Sequence, residues 1–378
     1  THKLLIVTTV SGFIHGFLLP FIQHFKSLGW QVDCMAQELS ADPKCVSACD
    51  RVWDIEWSRN PLDPRNLMVA VPRIQEIIAQ GNYDLVHVHS PIAAFVTRYA
   101  ISQSKIKQKP KVIYTAHGFH FHKQGNPLTN FLFLSLEKLA GNWTDYLITI
   151  NREDETAAQK YRLLPAEKIF YTPGIGLDLN KYNPNQVSES EIHAIRRELG
   201  LGSLDTLLLC VAEFTPNKRH RDQIIALKKL NRSNIHLAFA GDGATRPELE
   251  QLTAKLGLQK QVHFLGFRQD IPALICSSAA ILLTSQREGL PRSVMEAMCL
   301  ATPVIGTKIR GIQDLLADGC GLLVNLGDID ELTEAMAQIV DEPENAKIMA
   351  QKGQAKMADY DIKQIIEQYT DIYQLAMN

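Results

Sequence analysis

Short apolar runs recur along this chain with amphipathic stretches of helical period between them, and that alternation leaves few folds open. Leu4–Val10, Gln31–Met35, Asp84–Val88, Val112–Thr115, Tyr146–Ile150 and Ile169–Thr172 read as strands, with helices such as Leu18–Leu28 and Leu67–Ala79 between them. Runs that are apolar on both sides suit strands covered on both faces, so the pattern predicts a doubly wound parallel sheet. The rhythm breaks at Tyr171-Thr172-Pro173-Gly174-Ile175-Gly176, and Asn183-Pro184-Asn185 adds a second turn cluster. A new series follows through Leu207–Val211, Ile235–Ala240, Val262–Leu265, Ala280–Leu283 and Val304–Ile305. The expected fold class is therefore α/β, with two Rossmann-like doubly wound domains over 1–174 and 175–360 and a terminal amphipathic helix at about 361–378.

A length of 378 residues agrees with two domains, because single cores stop growing at about 250–300 residues. A net charge of −2 gives no electrostatic footprint for nucleic acid. The seven cysteines (Cys34, Cys45, Cys49, Cys210, Cys276, Cys299 and Cys320) are odd in number and scattered, which suits a reduced, cytoplasmic chain better than a disulfide scaffold. Cys45 and Cys49 have no second pair at metal-ligand spacing and read as ordinary thiols. Leu4–Val10 is far short of the ~20 residues of a membrane span and has no cleavage pattern after it. The chain begins at Thr1, so its native start is expected to differ.

Chemistry concentrates in Ser285-Gln286-Arg287-Glu288-Gly289-Leu290-Pro291-Arg292-Ser293-Val294-Met295-Glu296. The segment follows the strand Ala280–Leu283, so Glu288 falls on the loop at the strand's carboxyl end, where open α/β sheets bind ligands. Pro291 suits the first helical turn. Val294, Ala297, Met298 and Ala301 form the core face at helical spacing, leaving Arg292, Ser293 and Glu296 on another. A helix start after Gly289 offers free N–H groups to phosphate, and Glu296 offers a carboxylate to a ribose diol. Taken alone, the spacing is also that of a loop charge and a solvated helix face.

Further pieces lie in a fixed order: Asn217-Lys218, Gly241-Asp242-Gly243, Phe264-Leu265-Gly266-Phe267, Met295-Glu296-Ala297-Met298, Ala301 to Gly306, and Asp318-Gly319 leading to Gly321-Leu322-Leu323-Val324. Together with Arg287-Glu288-Gly289-Leu290-Pro291 they resemble the signature of the retaining glycosyltransferases of family 4. That resemblance implies the GT-B fold, two Rossmann-like domains facing each other across a cleft, with the terminal helix crossing back onto the first. The N-terminal motifs Val10 to Gly16, Asp84 to His89 and Thr115-Ala116-His117-Gly118-Phe119-His120 are similar to those of bacterial enzymes that build capsular and exopolysaccharides.

Breaking the bond between an anomeric carbon and a nucleotide diphosphate leaves negative charge on phosphate and oxocarbenium character on the sugar, so cationic donors must meet the first and oriented oxygens the second. By the resemblance, Lys218 meets the phosphate, Glu288 binds sugar hydroxyls, Glu296 the ribose, and Gly289, Leu290, Pro291 and Val294 the distal phosphate at the helix start. His117 contacts the donor sugar, with its carbonyl toward the anomeric centre; Gly12 allows backbone approach; Gly243 and Phe267-Arg268 lie by the nucleotide, the base stacking near the latter. Many family members carry an arginine in a Val-Gly-Arg stretch before the lysine. This chain instead reads Val211-Ala212-Glu213-Phe214, so either Glu213 has another job, such as pairing Lys218, or Arg219 or Arg221 supplies the second charge.

The resemblance implies a UDP-sugar donor, with glucose or another hexose as the sugar, and no metal, a lysine and a helix start taking the cation's place; retention is expected by front-face attack, the alternative being a double displacement that requires a carboxylate beneath the anomeric carbon. His117, His120 and His122 could alternatively hold a metal; His15 and His89 are as well explained as structural histidines. Asp328-Ile329-Asp330 reads as a cap on a helix over Glu331–Val340. Lys105, Lys107, Lys109 and Lys111 with the apolar run Phe131 to Leu134 could meet an anionic membrane surface carrying a lipid-linked glycan acceptor, placing the chain peripherally at the inner face of the cytoplasmic membrane. A solvated loop and a buried helix face would explain the same residues. A UDP-sugar epimerase and a non-catalytic nucleotide-sugar-binding protein remain the rival classes; oligomeric state is left open.

Overall fold

The computed structural model describes residues 1–58, 60, 63–123 and 125–378, and the chain divides into two compact units, residues 1–176 with 363–378 and residues 177–362. The first unit holds β1 (Lys3–Val10), β2 (Gln31–Gln37), β3 (Arg51–Asp54), β4 (Leu85–His89), β5 (Lys111–Ala116), β6 (Tyr146–Thr149) and β7 (Ile169–Tyr171). They form one sheet in the order β3-β2-β1-β4-β5-β6-β7, and all pairings are parallel. The central strand shows why: Leu4, Leu5, Ile6 and Val7 are at most 1% exposed, so both faces are covered by helices.

The second unit repeats the plan with β8 (Thr206–Val211), β9 (Ile235–Ala240), β10 (Val262–Gly266), β11 (Ala280–Leu283), β12 (Val304–Thr307) and β13 (Leu322–Val324) in the order β10-β9-β8-β11-β12-β13. In both units the order reverses beside the first strand, the switch point at which such sheets bind ligands outside the strands' carboxyl ends.

Two strands were not foreseen. Arg51–Asp54 is a half-exposed edge strand whose charged, exposed ends give no buried-strand signal, and Leu322–Val324 is a three-residue edge. The helix expected over Leu67–Ala79 is two, Arg65–Met68 and Ala70–Gly81, and Leu19–Ser27 is preceded by a π-helical turn over Ile14–Leu18. The second unit is closed at its ends by Leu177 N–H donating to Tyr360 O (2.9 Å) and Ile362 N–H to Leu177 O (3.0 Å). The helix Ile362–Met377 then packs with the first unit, where Tyr373 stacks on Phe25 (4.6 Å between centroids) and Tyr369 meets Phe21 edge-on (5.1 Å).

Candidate functional site

In the second unit the loops after β8 and β11 are tied to each other. The 3₁₀ turn Pro216–Lys218 ends at Arg219, whose left-handed backbone (φ +50°) starts the helix His220–Leu230. Thr284 Oγ1, itself held by Gln223 Nε2 (2.9 Å), donates to the carbonyls of Lys218 (3.0 Å) and Arg219 (3.2 Å). Gln286 N–H donates to Asn217 O (2.8 Å), and Asn217 Nδ2 to Arg287 O (3.0 Å). This lacing brings Lys218 Nζ within 2.5 Å of Glu288 Oε1, with the two side chains 21% and 12% exposed. Lys218 thus pairs Glu288, and the pairing with Glu213 raised from the sequence does not occur; the exposed Glu213 makes no side-chain ion pair among the described residues. Burial, then the Lys218 charge, pushes His220 down to about 4, and that neutral ring stacks on Phe214 at 4.6 Å.

Pro291 is buried and caps the helix Arg292–Cys299 from outside it, not from its first turn, because its ψ of 119° is extended. Pro291 at the N-cap makes no side-chain cap, and the helix start presents its first turn as a place where an anion can be met. Val294, Ala297 and Met298 are buried as the spacing predicts, so Val294 offers a ligand only its backbone. Ala301 departs from the pattern: it lies beyond the helix in a left-handed turn (φ +51°). Glu296 is not on a solvated face. It is 7% exposed, bonded through Oε1 to Arg292 Nε (2.8 Å) and hydrogen-bonded to Tyr182, whose hydroxyl is pushed up by burial and then by the Glu296 charge. Arg292 is held charged against the cost of burial by Glu296 and then Tyr182.

The Glu288–Gly289 backbone is fixed from below. Arg310, 7% exposed, donates from Nε to Glu288 O (3.1 Å), and Gly311 (φ +79°) approaches Gly289 so closely that a Cβ there would lie 2.1 Å from its carbonyl oxygen. Gly243 (φ +154°) is constrained likewise, with a Cβ meeting Phe214 O at 2.5 Å. Leu290 packs on the unit's core.

The cations near Lys218 are already engaged. Arg219 Nε bonds Asp222 (2.6 Å), and Arg221 reaches Glu248 at 3.7 Å. Arg268 is clamped by Asp270 (2.6 Å) and Glu198 (2.5 Å) beside Phe267, whose ring is 82% exposed and open to stacking.

In the first unit, His117 follows β5. Its Nε2 lies 2.9 Å from His89 Nδ1 at the end of β4, and its ring meets Phe13 edge-on at 4.9 Å. His87, one pleat back, bonds Thr115 Oγ1 through Nε2 (2.8 Å) and Tyr373 OH through Nδ1, tying the network to the terminal helix. Burial pushes His117 down to about 4 and, aided by His87 and then His117, holds His89 well below its ordinary range, so both rings are neutral at pH 7. A side chain at Gly12 would enter open space, with no atom within 4 Å of its Cβ. Among the described residues, His117, His120 and His122 do not gather as metal ligands; the group whose ligand atoms lie within 4.8 Å of one another is His15, Asp42 and Cys45.

The helix Pro127–Gly141 carries the apolar run, and Leu128, Phe131 and Leu132 are 78%, 70% and 55% exposed, whereas Phe133 and Leu134 pack on the core. The run is therefore not a buried helix face. Lys105, Lys107, Lys109 and Lys111 are all exposed. Asp328 caps the helix Ile329–Asp341 through Oδ1, accepting from Asp330 N (3.1 Å) and Glu331 N (3.0 Å).

Tyr182, Arg310, Gly311 and the Tyr369/Tyr373 pair escaped the sequence reading. Each acts through a partner distant in sequence, so only Arg310-Gly311, an arginine and glycine on the loop after β12, carried a local signal.

Two doubly wound parallel-sheet units, the second with a lysine–glutamate pair at its strands' carboxyl ends, follow the plan of the GT-B fold. Residues 17–174 match the family described as Glycosyltransferase Family 4 and residues 191–356 the family Glycosyl transferases group 1, and the chain belongs to the family 4 glycosyltransferases. It is 34% identical over 382 residues to EpsD of Bacillus subtilis, named as a glycosyltransferase, covering 100% of this chain and 98% of that one. It is 26% identical to the UDP-Gal:alpha-D-GlcNAc-diphosphoundecaprenol alpha-1,3-galactosyltransferase of Escherichia coli over 81% of this chain and 79% of the relative. In fold it is similar to Anabaena HepE, crystallised with UDP and glucose, at a TM-score of 0.82 and 21% identity over 99% and 100% of the two chains.

Proposed function

We propose that this chain transfers a hexose from a UDP-sugar, with retention and without a metal ion, to a lipid-linked or oligosaccharide acceptor in polysaccharide assembly. The observation that carries the reading is the Lys218–Glu288 pair. An ammonium has three donors, so one bond to Glu288 leaves two for the diphosphate that departs. The remaining lone pairs of Glu288 accept from sugar hydroxyls, and the uncapped first turn of Arg292–Cys299 takes phosphate charge through backbone N–H groups, so these groups do the work a cation would otherwise do. Glu296, oriented by Arg292 and Tyr182, takes the ribose.

In this reading residues 175–360 form the donor domain and residues 1–174 with the terminal helix the acceptor domain. His117, neutral at pH 7, addresses the donor sugar. The UDP-sugar and the lipid-linked acceptor rest on the Escherichia coli relative's name and on the UDP and glucose held by HepE. The exposed apolar edge of Pro127–Gly141 and the exposed lysines support a peripheral seat on the inner face of the membrane; no described helix is long and apolar enough to cross one.

Incubation with a panel of nucleotide sugars, with and without polyprenyl-linked acceptors, tests the proposal. Acceptor-dependent transfer supports it. Interconversion of UDP-sugars without acceptor would mark an epimerase, and UDP binding without turnover a non-catalytic protein.

A further inference from the structure

Cys45 has no metal-ligand partner at a telling spacing in the sequence, yet the fold of the first unit supplies two in space. One ligand atom each of His15, Asp42 and Cys45 lies within 4.8 Å of the other two. His15 is carried on the π-helical turn Ile14–Leu18 that leaves β1, a kind of turn frequent at functional sites, whereas Asp42 and Cys45 belong to the start of the helix Pro43–Ala48 that follows β2. Asp42 Oδ1 caps that helix, accepting from Lys44 N (3.0 Å) and Cys45 N (3.1 Å). Its other oxygen, Oδ2, is thereby turned to His15 Nδ1 at 2.7 Å. Cys45 is fully buried behind them, while His15 and Asp42 line a cavity of ≈ 470 Å³ together with Ser11, Glu38 and Lys44.

An imidazole nitrogen, a carboxylate oxygen and a thiol sulfur together select a borderline ion. Zinc(II) takes all three, whereas Mg²⁺ and Ca²⁺ take oxygen. Around a tetrahedral zinc with bonds of about 2.0–2.3 Å, ligand atoms stand roughly 3.3–3.7 Å apart, so side-chain shifts of about 1 Å close the three residues on an ion. His15 would ligate through Nδ1 as the tautomer protonated at Nε2. Burial, then the Asp42 charge, pushes the Cys45 thiol up to about 12, so it keeps its proton in the free protein; a thiophilic ion displaces that proton to water and bonds the thiolate. The fourth position falls to water or to the Glu38 carboxylate from the cavity. Lys44 is the one lysine or arginine in that lining, and it is exposed, so solvent screens its charge.

We propose that His15, Asp42 and Cys45 form a binding site for one zinc-class divalent ion, which pins the turn leaving β1 to the helix after β2. The site lies wholly in the first unit, apart from the Lys218–Glu288 pair, so the inference does not depend on the proposed transfer.

The test is calorimetry and thermal melting of the full chain, stripped with a chelator and titrated with Zn²⁺, with absorption spectra of the Co²⁺ form. The parent is expected to bind one Zn²⁺, to melt higher when saturated, and to show a thiolate-to-cobalt charge-transfer band. Mg²⁺ at equal concentration is expected to leave the melting temperature unchanged. Asp42→Asn keeps the helix cap, since Asn serves there as well as Asp, and His15→Gln alters a side chain that is 40% exposed. Both retain every thiol, and each is expected to lower Zn²⁺ affinity by about 10²-fold or more, because even an outer-shell partner is worth about 10–100-fold. Cys45→Ser is expected to abolish the charge-transfer band, with circular dichroism reporting the fold of each variant. No Zn²⁺ binding by the folded parent, binding that survives both Asp42→Asn and His15→Gln, or an equal rise in melting temperature with Mg²⁺ would overturn the site.

Discussion

Lys218 Nζ and Glu288 Oε1 lie 2.5 Å apart although 70 residues separate them in sequence, and both side chains are largely withdrawn from water. Removing either partner strands the other's charge, which is costlier than removing both. Lys218→Ala and Glu288→Gln are each expected to lower kcat/KM by about 10²–10³-fold, the loss typical of one transition-state donor. A double-mutant cycle is expected to show the two effects coupled by about 1–3 kcal/mol. Simple additivity would mean that the pair does not act as a unit.

Glu296 is expected to separate binding from turnover. Tyr182→Phe removes a partner of this buried carboxylate, and Glu296→Gln removes its charge, on the helix that follows the Glu288 loop. Both should raise the Kd for UDP in calorimetry while leaving the first unit's melting unchanged. An unaltered UDP affinity in Glu296→Gln would remove the ribose role.

Gly311→Ala tests how the Glu288–Gly289 loop is held. A positive φ for a non-glycine residue costs about 1–3 kcal/mol, and the Cβ would displace the Gly289 carbonyl it meets at 2.1 Å. The variant should melt lower and bind UDP more weakly, whereas Gly12→Ala, whose Cβ enters open space, should melt like the parent.

The histidine network predicts an acid-sensitive first unit. His117 is pushed down to about 4 and His87 to about 3, below the ~6.5 of an unfolded chain, so folding favours their neutral forms. The stability they confer is complete above about pH 6.5 and is lost as pH falls toward 4 and 3, by up to ~1.4 kcal/mol for each unit of pKa difference. Urea midpoints across pH 7 to 4 should fall, and His117→Phe should fall less steeply. A flat wild-type profile would contradict the burial assigned to these rings.

The strands with apolar runs could be read from sequence because strands buried on both faces keep no polar positions to blur the signal; Ile235–Ala240 and Ala280–Leu283 match residue for residue. Arg51–Asp54 could not, since an edge strand needs few buried residues. In the site, the motif glutamates and lysine stood out by local context. What orients them did not: Tyr182 reaches Glu296, Arg310 reaches the Glu288 carbonyl and Tyr373 reaches His87 only after the chain has folded, and no spacing encodes those contacts. The same gap explains Glu213. Its place in the motif suggested a partner for Lys218, while the loop lacing through Thr284 and Asn217 delivers Glu288 instead.

The proposed membrane seat rests on residues whose replacement should not disturb the fold, since Leu128, Phe131 and Leu132 are exposed. Changing all three to serine is expected to abolish co-sedimentation with anionic vesicles at an unchanged melting temperature. Equal sedimentation of parent and variant would place the contact elsewhere, and none by the parent would end the idea.

The central claim, retaining transfer from a UDP-sugar, is tested most directly by the anomeric configuration of the product. With an α-linked UDP-hexose and a polyprenyl-linked acceptor, proton NMR is predicted to show a new α-glycosidic linkage formed in step with UDP release. A β linkage, or UDP-sugar consumed with no linkage to the acceptor, would contradict the account.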